Sequence, residues 1–325
     1  MKRRKFLNDA VAISGIFILP SFESLSKIQE RNITTVTGNI SPNDLGSTLV
    51  HEHILVDFIG ADQVNPKRYN VDEAFTKAFP HLMEIKKLGC RTIIECTPAY
   101  LGRDVKLLQR LSEASGLQII TNTGFYGAVK GKYLPQHVFE EKASQIAQKW
   151  IKERKEGIEG TGIYPGFIKT GVDNGPLTDI IKKLIEAAAL THLETGLTIS
   201  AHTGDGAAAM EEIEILKNKG VSPEAFRWVH AQNEKDMALH EKIGRMGAWV
   251  EFDGISPDSF DEHLKFVKSM KAKNLLDKVL ISHDAGWYHV GEEDGGIFRP
   301  FTLLYEEFIP ALQKEGFIKK ELDLL

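Results

Sequence analysis

Six side chains in this sequence have the chemistry to hold metal together: His51, His53, Lys169, His202, His230 and Asp284. In His51-Glu52-His53 the two imidazoles stand two residues apart, so on a strand they share a face while Glu52 points to the other. Two imidazoles on one face are ready donors for one divalent ion. Lys169 closes the apolar run Phe167-Ile168-Lys169-Thr170-Gly171. A lysine there must reach water or give up its charge, because burying an unpaired ammonium is expensive. A neutral amine can add carbon dioxide to become a carbamate, a carboxylate-like group able to bridge two cations. The alternative is a lysine that snorkels from a strand end. His202, His230 and Asp284 each stand where a further apolar run stops. Any one of these alone reads as a hydrogen-bonded core residue. Five such strand ends converging on one mouth read as a metal centre.

The elements that must position these groups follow from the hydrophobic pattern. Short, β-branched, almost continuously apolar runs cover 48–53, 91–97, 117–123, 166–170, 197–202, 226–231, 248–253 and 278–284. That is the pattern of strands buried on both faces. Amphipathic stretches of helical period lie between them, at 75–88, 139–155, 177–194, 208–219 and 264–272. Eight strands alternating with helices predict an α/β fold, a (β/α)8 TIM barrel, with active groups at the C-terminal strand ends. A doubly wound open sheet is the rival. The absence of a glycine-rich phosphate loop after the first strand counts against it. Residues 33–45, with Gly38 and Ser41-Pro42-Asn43, read as a small β-hairpin before the barrel. With no linker or repeat in view, residues 28–325 read as one domain.

The order His51-x-His53, Lys169, His202, His230, Asp284 resembles the metal-ligand set of the phosphotriesterase family of amidohydrolases. The approach Gly38…Leu45-Gly46-x-Thr48-Leu49-x-His51-Glu52-His53 is similar to that family's opening signature. The resemblance implies two divalent ions, zinc first, with manganese or cobalt as alternatives. His51, His53 and Asp284 would hold one ion, His202 and His230 the other, with carboxylated Lys169 and a hydroxide between them. Paired ions lower the pKa of bound water and polarise the electrophile's oxygen. Asp284 is then the natural proton acceptor.

The family's phosphotriesterases proper relay the proton through a further His and Asp. Gly254 and Asn233 stand at those positions here, which argues against efficient triesterase action. Lactonase members resemble this chain in carrying a tyrosine at the position of Tyr126, where a phenol can orient a lactone carbonyl or stabilise developing charge. Simple packing of its ring in a loop is the alternative. Asp253 matches a family aspartate near the leaving group; its alternative is to cap the following turn. Trp287, Tyr288 and His289, in the glycine-rich loop expected after strand eight, are candidates to shape the substrate pocket. The expected substrate is a small lactone or other carboxylic ester. Alternatives are a phosphoric triester, or a catalytically silent barrel that binds metal and a small ligand.

Other histidines carry less. His81, His137, His192, His240 and His263 fall in or beside helices and read as structural or exposed, and His283 should point to the helix layer. Lys130 and Lys132 read as a solvated basic loop, with contact to an anionic substrate as the alternative. Cys90 and Cys96 flank one strand, too far apart for a disulfide, and read as buried thiols. A net charge of −5 gives no basic footprint for nucleic acid and no polybasic patch for a membrane surface. A homodimer is the candidate assembly. At the N-terminus, Lys2-Arg3-Arg4-Lys5-Phe6-Leu7 precedes an apolar stretch from Ala10 to Pro20 that is too short to span a bilayer. Residues 1–27 therefore read as an export signal of twin-arginine type, and the protein as periplasmic or secreted.

Overall fold

A computed structural model describes residues 32–325; the expected leader, residues 1–27, lies outside the described residues. The chain opens on an antiparallel hairpin of Ile33–Thr35 and Gly38–Ile40, as the turn residues around Gly38 predict. The barrel strands follow: β1 (Ser47–Val56), β2 (Cys90–Glu95) and β3 (Gln118–Ile120, resuming as Asn122–Thr123). After them come β4 (Phe167–Val172), β5 (Thr198–Thr203), β6 (Phe226–Val229), β7 (Trp249–Phe252), β8 (Val279–Ile281) and β9 (Ala285–His289). All barrel pairings are parallel. β3 breaks at Thr121, with one piece paired to β2 and the other to β4, so it carries the sheet around a corner. At the closure, the Asp284 N–H donates to His51 O at 3.1 Å and the Ser282 N–H donates to Phe252 O at 3.2 Å. The last strand is thereby stitched to both neighbours.

One expectation is corrected. The segment after Asp284 is not simply a loop: Ala285–His289 forms β9, paired to Glu52–Val56 of β1. Gly286 permits the close approach, since a Cβ there would lie 1.9 Å from His53 O. The final barrel strand is therefore split, β8 bonded to β7 and β9 to β1, with Ser282-His283-Asp284 as the break.

Helices α1 (Val71–Lys87), α2 (Val105–Ser115), α3 (Ala143–Glu156), α4 (Asp179–Thr195), α5 (Gly206–Asn218), α6 (Met237–Arg245) and α7 (Phe260–Ala272) pack outside the strands. Local chemistry sets their ends. Asn70 caps α1 by accepting from the N–H groups of Asp72 and Glu73, and Asp104 caps α2 in the same way. Gly116 (φ 71°) and Gly196 (φ 72°) terminate α2 and α4 in the left-handed region. Both cysteines are buried and free. Beneath the mouth the barrel interior is not wholly apolar. The Arg227 Nε–H donates to Glu251 at 2.8 Å, and an Arg227 Nη2–H donates to Val50 O at 2.9 Å, all deeply buried.

Candidate metal centre

The ligand candidates reach one place because each lies in the middle or C-terminal part of its strand, or just beyond the strand's end, and faces inward. In β4 and β5, Lys169 pairs in register with Ser200, and Gly171 with His202, so alternation turns Lys169 and His202 to the interior. His230 and Asp284 lie just past β6 and β8, and both adopt left-handed backbone (φ 61° and 53°). For residues with a Cβ this conformation is costly and is held by its surroundings. Trp287 is a third such residue, at φ 79°. A cavity of about 130 Å³ opens here, and His51, His53, Lys169, His202, His230 and Asp284 all line it.

His51, His53 and Asp284 offer ligand atoms within 4.8 Å of one another. The Asp284 carboxylate lies 3.1 Å from His53 Nε2 and 3.8 Å from His51 Nε2. The far ring nitrogens are held from behind. His51 Nδ1 meets Glu251 at 2.9 Å and Asp253 at 2.8 Å. His230 Nδ1 meets Asp253 at 2.6 Å, and His53 Nδ1 meets the Thr97 hydroxyl at 2.8 Å. Each contact presents the opposite nitrogen, Nε2, to the cavity. His51, His230 and Asp253 also cluster closely. Their shared atoms are the Nδ1 nitrogens, already hydrogen-bonded, so Asp253 backs the ligands.

Burial leaves His53 and His202 as neutral imidazoles facing an anionic carboxylate. The His51 pKa, although burial opposes it, is held well above its ordinary value by the charges around it, Asp253 among them. Burial lowers the His53 pKa to about 4, only partly opposed by Asp284. Burial, reinforced by the His230 neighbour, takes His202 well below its ordinary value. For Asp284 burial pulls upward, yet the His53 hydrogen bond and the surrounding imidazoles bring it down to about 2. Lys169 is 2 % exposed and, among the described residues, its Nζ has no hydrogen-bond partner. A buried amine without an acceptor is a debt the protein alone does not settle. Four imidazoles, a carboxylate and this amine form a donor set whose chemistry fits divalent metal.

The remaining expected site residues separate. Tyr126 and Trp287 line the cavity. The Tyr126 ring lies edge-on to His202, 5.1 Å between centroids, and burial raises its pKa, so the phenol keeps its proton. Gly171 makes room for it, since a Cβ there would lie 2.6 Å from the ring. Asp253 is fully buried behind His51 and His230 and does not line the cavity, so it has no access to a leaving group. Tyr288 is turned away, its hydroxyl donating to Glu73 at 2.5 Å. His289 packs against Phe58 and Trp287 as a second layer behind the wall. His283 faces the helix layer, bonded to Glu52 and to the Leu304 N–H.

Sequence reasoning missed most of the cavity wall: Val56, Phe58, Pro98, Leu101, Val129 and Tyr133, with Cys96 on its floor. These are ordinary apolar residues, Val56 at the end of β1 and the others on loops, which no spacing rule marks. It also missed the backing residues. Their signal was present, because a Glu or Arg inside an apolar strand, as at Glu251 and Arg227, demands a buried partner.

Comparison with known proteins agrees with this geometry. The profile of the phosphotriesterase family matches residues 31–325. An aryldialkylphosphatase of Saccharolobus solfataricus is 29% identical over 289 residues, covering 86% of this chain and 91% of its own. The organophosphorus hydrolase from Deinococcus radiodurans superposes with a TM-score of 0.80 at 26% identity, covering 90% of this chain and 94% of its own. A protein from the engineering of organophosphate hydrolysis on a weak promiscuous lactonase template also has a TM-score of 0.80 at 26% identity, over 90% of this chain and 97% of its own. On family profile, fold and relatives together, this chain is a hydrolase that belongs to the phosphotriesterase family.

Proposed function

We propose that this hydrolase is binuclear and acts on lactones or other carboxylic esters. One observation carries the reading: four imidazoles, Asp284 and the partnerless amine of Lys169 share a single apolar cavity. His51, His53 and Asp284 would hold one divalent ion and His202 and His230 the other, with carboxylated Lys169 between them. Zinc is the first candidate for this nitrogen and oxygen donor set, ahead of manganese and cobalt. When bound, such a pair supplies hydroxide at neutral pH and Lewis-acid polarisation of the electrophile's oxygen.

The chain's own residues do the rest. Asp284, anionic across the neutral range, takes up the proton released at its Oδ1, 3.1 Å from His53 Nε2. Tyr126 keeps its phenolic proton and can donate it as a hydrogen bond to the substrate carbonyl. Val56, Phe58, Leu101, Val129, Tyr133 and Trp287 exclude water and favour an uncharged, apolar substituent. Among the described residues no lysine or arginine other than Lys169 lines the wall, so no side-chain cation waits there for an anionic substrate. Lys132 is not available to greet one, because its Nζ donates to Phe58 O at 2.7 Å.

Phosphotriester hydrolysis is the second reading, favoured by the name of the Saccharolobus relative. A weaker version of that activity is expected here. Beside Gly254, where a relay imidazole would stand, the space is taken by Gln232; a Cβ at Gly254 would lie 2.7 Å from its Nε2. Export through the N-terminal Arg3-Arg4 segment, to the periplasm or beyond, is part of the same proposal and is checked by the N-terminus of the secreted protein.

The deciding experiment measures bound metal, then assays the loaded enzyme on lactones, aryl esters and phosphotriesters. Two equivalents of metal with lactone or ester turnover is the expected result; two equivalents with no turnover in any class overturns it. Asp284→Asn should retain some metal and lose most turnover. Parental rates in that variant would remove Asp284 from its role as proton acceptor.

A further inference from the structure

We infer that Glu52, the residue between the two ligand histidines of β1, is a positioning residue that shapes the strained turn carrying Asp284. The inference rests on the reading of Asp284 as a metal ligand. Glu52 is fully buried on the outer face of β1, away from the cavity. Its carboxylate has no cationic partner of its own among the described residues other than the imidazole of His283. Hydrogen-bond donors surround it instead, and all come from the break between β8 and β9 or from the first residue of β9. Oε1 accepts from the Ser282 hydroxyl at 2.8 Å, from the His283 N–H at 3.2 Å and from His283 Nδ1 at 2.7 Å. Oε2 accepts from the Ala285 N–H at 2.8 Å.

Those donors bracket Asp284 on both sides. The chain between them must turn tightly, and Asp284 takes the left-handed backbone, φ 53°. A carboxylate with several converging donors is a strong anchor, since charge-assisted hydrogen bonds exceed neutral ones. The turn is registered to the histidines as well. Ser282 Oγ accepts from the His51 N–H at 3.1 Å, and the Asp284 N–H donates to His51 O at 3.1 Å. One residue thus fixes the spacing between the His51 and His53 pair and the carboxylate that must meet them. His283 extends the clasp outward. Its Nε2 accepts from the Leu304 N–H at 2.9 Å, which sets the tautomer with the proton on Nδ1 and ties the turn to the C-terminal helical segment.

Glu52→Gln keeps the shape but replaces one acceptor oxygen with an NH2 group facing donors, so the turn should relax and Asp284 should swing. The test loads parent and variant with cobalt(II) and compares their visible absorption, without substrate, alongside kcat, KM and thermal stability. The expected result is an altered cobalt band and a kcat lowered about 10–100-fold, the usual effect of losing a group that orients a ligand, with KM little changed. A variant that is less stable but keeps the parental band and kcat overturns the inference, because Glu52 would then serve folding alone. Should Glu52→Gln fail to fold, Ser282→Ala removes one donor from the same clasp and is expected to shift the band in the same direction by less; a parental band there overturns the inference too. If the parent binds cobalt and hydrolyses no ester, the functional reading falls, while the inference on Glu52 is still judged by the cobalt band.

Discussion

The two sides of the barrel mouth are built differently. On the side formed by β1 and the ends of β6 to β8, the imidazoles of His51, His53 and His230 are each braced by a protein group, Asp253 and Glu251 or Thr97. On the side formed by β4 and β5, the inward Lys169 Nζ and Ser200 Oγ have no hydrogen-bond partner among the described residues, and neither do Thr170 Oγ1 and Glu212 Oε1 on the helix side. On the strands of the first side and on β9, the unpartnered atoms are indole nitrogens, those of Trp228 and Trp287. The first side is oriented before any ion arrives. The second is left incomplete, and native proteins rarely leave buried polar groups so without a functional reason. Rigid orientation and unsatisfied demand are complementary ways to prepare a site. One orients the imidazoles in advance, and on the proposed reading the other would be relieved by Lys169 becoming a ligand.

That contrast is broken most severely at Lys169. Lys169→Met should reduce bound metal from two equivalents to one or fewer and lower turnover by more than about 100-fold, beyond the effect of a backing residue. The same change should stabilise the metal-free protein, since an apolar chain replaces an amine with no acceptor. Each kcal/mol recovered would raise Tm by about 1.5–2 °C. Metal analysis and thermal scans of chelated samples read both effects. A lower Tm in the chelated variant would mean that the buried amine finds a partner after all.

The braced side offers a graded test. Asp253→Asn weakens a carboxylate shared by His51 and His230 and should cost about 10–100-fold in metal affinity or turnover. Thr97→Val removes one neutral hydrogen bond to His53, worth about 1 kcal/mol, and should cost about fivefold. Equal losses in metal titrations of the two variants would show that the charge on Asp253 adds nothing to its geometry.

How far the sequence made this legible follows the same division. The ligand candidates were readable because each interrupts an apolar run with a residue that burial penalises, and the eight runs set the barrel. The strand at 285–289 was not, because Gly286 and the aromatics around it imitate a loop, and only the closeness of His53 O explains the glycine. Asp253 was mistaken for a pocket residue because its spacing places it at the mouth, while its direction depends on where His51 and His230 hold their Nδ1 atoms. Tyr288 belongs to the same class of error. Alternation along β9 gives Trp287 the inner face, and Tyr288 goes outward to Glu73. Residue type and spacing thus identify who can bind a metal, whereas bracing is a property of pairs brought together from distant strands.

The smallest expected effect lies at Glu212, in the incomplete half but outside the cavity. Its carboxyl is buried against the end of β5 with one partner, the Thr203 hydroxyl at 2.8 Å. Burial raises its pKa to about 8, a shift the Thr203 bond opposes only in part. The folded state therefore keeps a proton that the unfolded chain gives up near pH 4.5. Where the native state holds more protons, stability falls as pH rises. The contribution is intact below about pH 4.5, declines up to about pH 8 and levels off above that. Glu212→Gln retains an acceptor for Thr203 and cannot ionise, so its Tm should lose less than the parent's across this interval, with turnover unaffected. Parallel Tm curves for the chelated parent and variant would show that Glu212 does not titrate there, and that the missing partners on this side of the barrel are confined to the groups facing the ions.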